Sequence, residues 1–234
     1  MQRRDFHRQV GTSFIALITA AAWQRAHALS LGDLSTTDLN KALAATLEKG
    51  ATSAVALLGK PGGFLDNPAV RIPLPPTLDK AAKWLSMMGK GKQVDEVVTS
   101  MNRAAEAAVP LGQQALVQAV KTMTVDDARG ILGGGDNAVT TFFSEKTRTP
   151  LTEAFLPVVA KTTDQVGAAK AYNRVATKAS SMGLSGVETV QQYVTTKTLD
   201  GLFTVIGDEE RKLRQDPAKA GSDLLKKVFG AIKG

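Results

Sequence analysis

Cysteine is absent from the 234-residue chain, and histidine occurs only as His7 and His27. Both histidines fall in a stretch that reads as a cleavable leader, so the body expected from residue 29 onward holds neither imidazole nor thiol. That excludes Ser-His and Cys-His nucleophilic systems, conventional zinc sites, His-ligated haem, iron–sulfur clusters, disulfides and a lipid anchor on an N-terminal cysteine. Aromatic residues make up 5% of the chain, and Trp84 is the one tryptophan beyond the leader, which leaves little for a carbohydrate-stacking cleft. No apolar run reaches the roughly 20 residues that a membrane-spanning helix needs. What is present is 43% hydrophobic and 22% charged, rich in Ala, Leu, Lys, Val and Thr. This suits one domain of helices packed through small and aliphatic side chains.

Residues 1–28 have the three-part layout of an export signal: basic MQRRDFHRQV, apolar GTSFIALITAAAW, and small residues two apart in AHA, ending at Ala28. Arg3 and Arg4 followed by Phe6 resemble the twin-arginine motif, with His7 and Arg8 where Leu and Lys are usual. Arg25, just before the cleavage site, also suits that route, and an ordinary secretory signal is the alternative. The expected location is the periplasm. The leader carries four arginines and one acid, so its removal lowers the formal charge from +7 to +4. Such modest basicity, with no interleaving of basic and aromatic residues, argues against a nucleic-acid partner.

From residue 29 to 234 the pattern predicts an all-α, single-domain bundle of several helices. Ser35 with Asp38 starts a helix over 36–58 that Gly59 ends. KPGGFLDNPAVRIPLPP, residues 60–76, holds five prolines and two adjacent glycines. It cannot be a long helix, yet Phe64, Leu65, Val70, Ile72 and Leu74 are apolar, so it reads as an extended strap lying on the bundle. Helices are expected over 77–88 and 93–109, the latter the clearest amphipathic pattern in the chain. Pro110 is read as a restart of the chain direction, with a further helix to about Met123. Thr124 with Asp127 starts a short helix, Asp136 another, and Thr149-Pro150 a third. A helix from Val166 to Met182 is broken by GLSG. Ser185 with Glu188, and then Asp216-Pro217, begin the last two.

These segments together resemble a known exported bacterial family. LGKPGGFLDNPAVRIPLP, KQVDEVVTSMNRAAEAAVP, MTVDDARGILGGGDNAVTTFF, AYNRV and YVTTKTLDGLFTVIGDEERKLRQDPA followed by DLLKKVFG look like its successive blocks, in order. The family is domain of unknown function 4197. The resemblance implies an all-helical envelope protein and supplies no activity, cofactor or catalytic residue.

Few residues invite chemistry. Gly133, Gly134 and Gly135 follow a helix and precede Asp136-Asn137. A phosphate loop would need a preceding strand and a following Lys-Ser/Thr, so the tract reads as a hinge with positive φ at Gly133 and Asp136 as the next cap. Asp126, Asp127 and Arg129 could form a carboxylate or metal site, but they lack calcium-loop spacing and fit a helix start. Glu209 and Glu210 beside Arg211 and Lys212 are expected on a solvated face. No serine is followed three positions later by lysine, and GLSG around Ser185 is no nucleophile elbow.

Asn102-Arg103 and Asn173-Arg174 sit next to core-pattern positions and could grip an anion, since Arg offers a planar fork. Asn102, Arg103, Asp127, Arg129, Asn173 and Arg174 are therefore the candidate binding residues, with no metal and no cofactor expected. The tail SDLLKKVFGAIKG, within residues 221–234, sets Lys226, Lys227 and Lys233 opposite an apolar stripe. It could rest on an anionic membrane or close the core, and Phe229 is exposed in one case and buried in the other. The function expected is a non-enzymatic envelope module that binds a partner protein or small ligand. A carboxylate-dependent hydrolase and a peripheral membrane binder are the alternatives.

Overall fold

A computed structural model describes residues 31–233 apart from Thr124, Ser185 and Val187, and without the side chain of Lys233. The leader residues Arg3, Arg4, Phe6 and Ala28, and Thr124 and Ser185, lie outside the described residues. The start expected at Ser185 is corrected to Val190, capped by the Thr189 hydroxyl, and the one expected at Asp216-Pro217 to Asp223, Pro217–Lys219 forming a single 3-10 turn. Eight helices and no strand are found among those described: α1 Thr36–Leu58, α2 Asp79–Met87, α3 Gly91–Thr122, α4 Ala128–Leu132, α5 Ala138–Gln165, α6 Ala168–Ser181, α7 Val190–Gln215 and α8 Asp223–Lys233. None is long and apolar enough to cross a membrane.

The long helices α1, α3, α5 and α7 pack against one another as the body of the bundle. Helices α2 and α6 cover α3 on one side, while α4 and α8 cover α1. Helix α1 has the predicted bounds, with Ser35 Oγ accepting from the Asp38 N–H at 3.1 Å. Its Leu39, Leu43, Leu47 and Leu58 are fully buried. In α8, Leu225, Val228 and Phe229 are buried, so its apolar stripe closes the core and Phe229 lies beneath the Arg214 guanidinium.

Two expected restarts are absent. Helix α3 runs straight through Pro110, and α5 through Pro150 and Pro157. Proline removes one N–H from the ladder and costs about 3 kcal/mol in a helix interior. All three prolines face solvent. Buried residues on either side of each one, Val109 and Leu116 in α3, Phe143, Leu151, Phe155 and Val159 in α5, keep the helix continuous. Positive φ occurs at Gly167, 73°, where α5 turns into α6. Gly133 has φ −75°, so the predicted left-handed turn there is corrected.

The glycine tract is a hinge between α4 and α5, but it is capped from a distance. Asn137, not Asp136, occupies the cap position of α5, and its side chain caps nothing. The Glu210 carboxylate on α7 does so instead, accepting from the N–H groups of Val139 (3.0 Å) and Thr140 (2.8 Å) and from the Thr140 hydroxyl (2.7 Å). Arg214, one turn on, holds Glu210 at 2.7 Å and donates to the α4-end carbonyls of Leu132 and Gly134. Glu210 is fully buried, which corrects its expected place on a solvated face. The N-terminal end of a helix favours a carboxylate and the C-terminal end a guanidinium, so one ion pair serves both orphaned ends.

Both tyrosines tie loops to this frame. Tyr172 donates to the Glu188 carbonyl at 2.7 Å and Tyr193 to the Pro73 carbonyl at 3.1 Å. Burial, and then the negative Glu188, push the Tyr172 phenol up to about 12, and the same two causes raise Tyr193. The neutral phenol is favoured in the folded state, so this stabilisation is complete below the unfolded value near 10 and is lost as pH rises through 12. The urea midpoint is therefore expected to fall between about pH 10 and 12, less steeply in Tyr172→Phe. Ultraviolet tyrosinate absorbance, which reports these two residues alone, checks it. Half-titration near pH 10 with native ellipticity would contradict the burial.

Candidate functional site

The strap is held by α3. Residues 61–70 fold largely as turns, with the N–H groups of Gly63, Asp66, Asn67, Val70 and Arg71 bonded within the segment, so the expected extended course is confined to residues 71–75. The buried backbone groups left over need partners from elsewhere. Asn102 supplies a whole peptide's worth: its Oδ1 accepts from the Ile72 N–H at 2.9 Å, and its Nδ2 donates to the Ile72 carbonyl at 2.8 Å and to Val98. One turn on, Glu106 Oε1 accepts from the N–H groups of Phe64 (3.1 Å) and Leu65 (3.0 Å). The i, i+4 spacing puts both side chains on one face of α3. Phe64 and Ile72 are thereby pinned fully buried. The Phe64 ring reaches the α7 backbone at Gly201, where a Cβ would stand 2.7 Å from it, too close to fit.

A cleft of about 680 Å³ opens where the strap leaves α1. Its walls are Gly59 at the end of α1, Pro61 from the strap, Val166 at the end of α5, and a stripe of α3 that includes Arg103, Glu106 and Ala107. Arg103 is 39% exposed and donates from Nη1 to Glu106 Oε2 at 2.7 Å. The outer rim carries Lys92, Asp95 and Glu96, and Glu96 pairs with Arg174 of α6 at 2.6 Å. Two further depressions of about 490 Å³ lie between α3 and α5 and between α5 and α7, the first mainly apolar, the second lined by hydroxyls and ion pairs.

The six sequence candidates fall in separate places. Arg103 faces the cleft. Arg174 reaches its rim through Glu96, with Asn173 exposed beside it on α6. Asn102 is fully buried, and its amide is occupied by the strap. Asp127 caps α4, accepting from the Gly130 N–H at 2.7 Å. Arg129 donates to the carbonyls of Gly32 and Leu34 before α1 begins. The cleft lies past the other end of α1, about 33 Å along a helix of this length. Asp127 and Arg129 are thus not brought together with Arg103. Among the described residues no three acidic side chains gather as a metal site would require.

Glu106 went unnoticed in the sequence. Its signal was a polar residue four positions after Asn102, inside the run of buried alanines Ala104, Ala105 and Ala108. That placement, opposite a proline-rich segment whose backbone needs acceptors, is what marks a clamp.

Replacing Asn102 with Ala leaves the Ile72 N–H and carbonyl buried without partners, each worth about 1–3 kcal/mol. Amide exchange at Ile72 is expected to accelerate by about a hundredfold or more, while amides in α5 and α7 keep their protection. Unchanged exchange at Ile72 would show that the strap is held by its apolar side chains alone.

No curated protein and no solved structure matches this chain. Residues 33–230 match the family described as Protein of unknown function (DUF4197), so nearly all of the helical body is covered. The chain belongs to that family.

Proposed function

We propose that the protein is an exported, non-enzymatic helical module that holds a small ligand or a segment of an envelope partner in the cleft beside the strap. The observation that carries this is the cleft itself: about 680 Å³, within the range of small-molecule sites, with apolar walls and one half-exposed guanidinium. The leader pattern of Arg3, Arg4, Phe6 and Ala28 supports export through the twin-arginine route to the periplasm. A body without histidine or cysteine supports binding over nucleophilic or zinc chemistry. The two alternatives have less behind them. Asp127 is engaged in a helix cap, which leaves the carboxylate hydrolase without its suggested pair. Phe229 is fully buried, which leaves membrane contact at residues 221–234 without its apolar face.

A neutral apolar dye, N-phenyl-1-naphthylamine, tests the cleft irrespective of charge. It is expected to bind saturably to the full chain and about tenfold or more weakly to Ala107→Trp, which fills the apolar end from an exposed position. Ala154→Trp, in the depression between α3 and α5, serves as control and keeps wild-type binding. Loss in the control variant with retention in Ala107→Trp, or no dye binding at all, would overturn the proposal.

A further inference from the structure

We infer that the cleft takes a compact amphipathic monocarboxylate, with the free side of the Arg103 guanidinium as its carboxylate receptor. This rests on the cleft being a ligand site. The α3 stripe running Lys92, Glu96, Thr99, Arg103, Ala107 advances by three or four residues at each step, so it is one face about 22 Å long. Its two ends differ in chemistry. At the Arg103 and Ala107 end stand Gly59, Pro61, Val166 and the paired carboxylate of Glu106, while Lys92, Asp95 and Glu96 stand at the other end of the stripe.

The charges around the cleft are largely matched. Glu106 is engaged by Arg103 Nη1 and two strap N–H groups, and Glu96 by Arg174. Lys92 and Asp95, both exposed, have no partner among the described residues, and Arg103 is the paired group with donors to spare. A guanidinium has five N–H donors, and among the described residues Nη2 and Nε of Arg103 have no protein partner. That edge meets a ligand within one helical turn of the apolar walls. Bonds from guanidinium to carboxylate are roughly twice as strong as neutral ones and favour two parallel contacts. An ammonium headgroup would find Glu96 and Glu106 already paired with arginines and Asp95 exposed on the rim, and pairs fully in water contribute little. Position therefore selects the anion, although the rim as a whole is balanced in charge.

The apolar part of the ligand is short. Ala107 lies one turn, about 6 Å, beyond Arg103, and Val166 and Pro61 close that end. A single aryl ring or a medium-length alkyl chain fits there. The carboxylate could belong to a free organic acid or to the C-terminus of a peptide with an apolar last residue, and the binding chemistry is the same.

Isothermal titration of the full chain with octanoate, 1-octanol and octylammonium tests this, with acetyl-Ala-Leu and its C-terminal amide as the peptide pair. Octanoate, or acetyl-Ala-Leu over its amide, is expected to bind about tenfold or more tightly than the matched neutral probe. Whichever acid binds more tightly names the source. Arg103→Met is expected to abolish the acid preference and Arg103→Lys to keep part of it, since charge remains but the fork is lost. Arg103→Met also leaves Glu106 without its partner, so Ala107→Trp provides a second variant that spares the clamp and is expected to weaken every probe equally. Neutral-dye binding with no acid preference would overturn this inference and leave the ligand-site reading standing. Absence of dye binding would remove both. Equal or tighter binding of octylammonium, or an unchanged preference in Arg103→Met, would also overturn it.

Discussion

The architecture depends on one requirement: a non-helical segment crossing an otherwise helical bundle must have the backbone groups that its own turns leave unpaired satisfied by side chains. Helices settle their own N–H and C=O groups, but the strap at residues 60–75 does so only in part, and the N–H groups of Phe64, Leu65 and Ile72 turn to α3. Asn102 and Glu106 act as surrogate backbone, an amide for the Ile72 peptide and a carboxylate for two successive N–H groups. A buried carboxylate needs compensation, and Arg103 supplies it from the side that faces the cleft. The clamp and the guanidinium exposed for recognition are therefore one unit. Among the described residues no buried side-chain nitrogen or oxygen is left without a partner.

The same device recurs on α7. Glu210 and Arg214 meet the end of α5 and the end of α4 across the glycine hinge, where the local sequence provides no working cap. Breaking such a buried pair by removing one partner costs about 3–5 kcal/mol, whereas exposed pairs such as that between Lys212 and Glu209 contribute about 0–1 kcal/mol. The irregular stretches of this bundle are thus held by polar side chains on neighbouring helices: acids and an amide for N–H groups, and Arg129, Arg214, Lys49 and the tyrosines for carbonyls.

Local chemistry made much of this legible in the sequence. Helix α1 shows its cap, its leucine stripe and its terminal glycine, and its bounds follow directly. The strap showed itself through five prolines with alternating apolar residues, and α8 through its stripe. What failed was local reasoning applied to long-range effects. Pro110 and Pro150 look like breaks because their neighbours in sequence do not reveal the core that carries α3 and α5 past them. In α5 the buried face includes Thr147, whose hydroxyl bonds back to the Phe143 carbonyl at 2.6 Å, so the apolar stripe is interrupted in composition though continuous in space. Glu210 lies beside Glu209, Arg211 and Lys212 in sequence and yet is buried, because its partners Val139 and Thr140 are some seventy residues away. Arg103 was visible as an arginine on a core-pattern helix. Its partner Glu106, and the separation of Asp127 and Arg129 from it, became visible only when the strap and α1 were in place.

The claim that this clamp builds a carboxylate site is met most directly by a crystal structure of the full chain grown with octanoate. The account predicts carboxylate density within hydrogen-bond distance of Arg103 Nη2, the alkyl chain against Ala107, Pro61 and Val166, and Asn102 and Glu106 still bonded to the strap. Octanoate lodged between α3 and α5 with the cleft empty would contradict it.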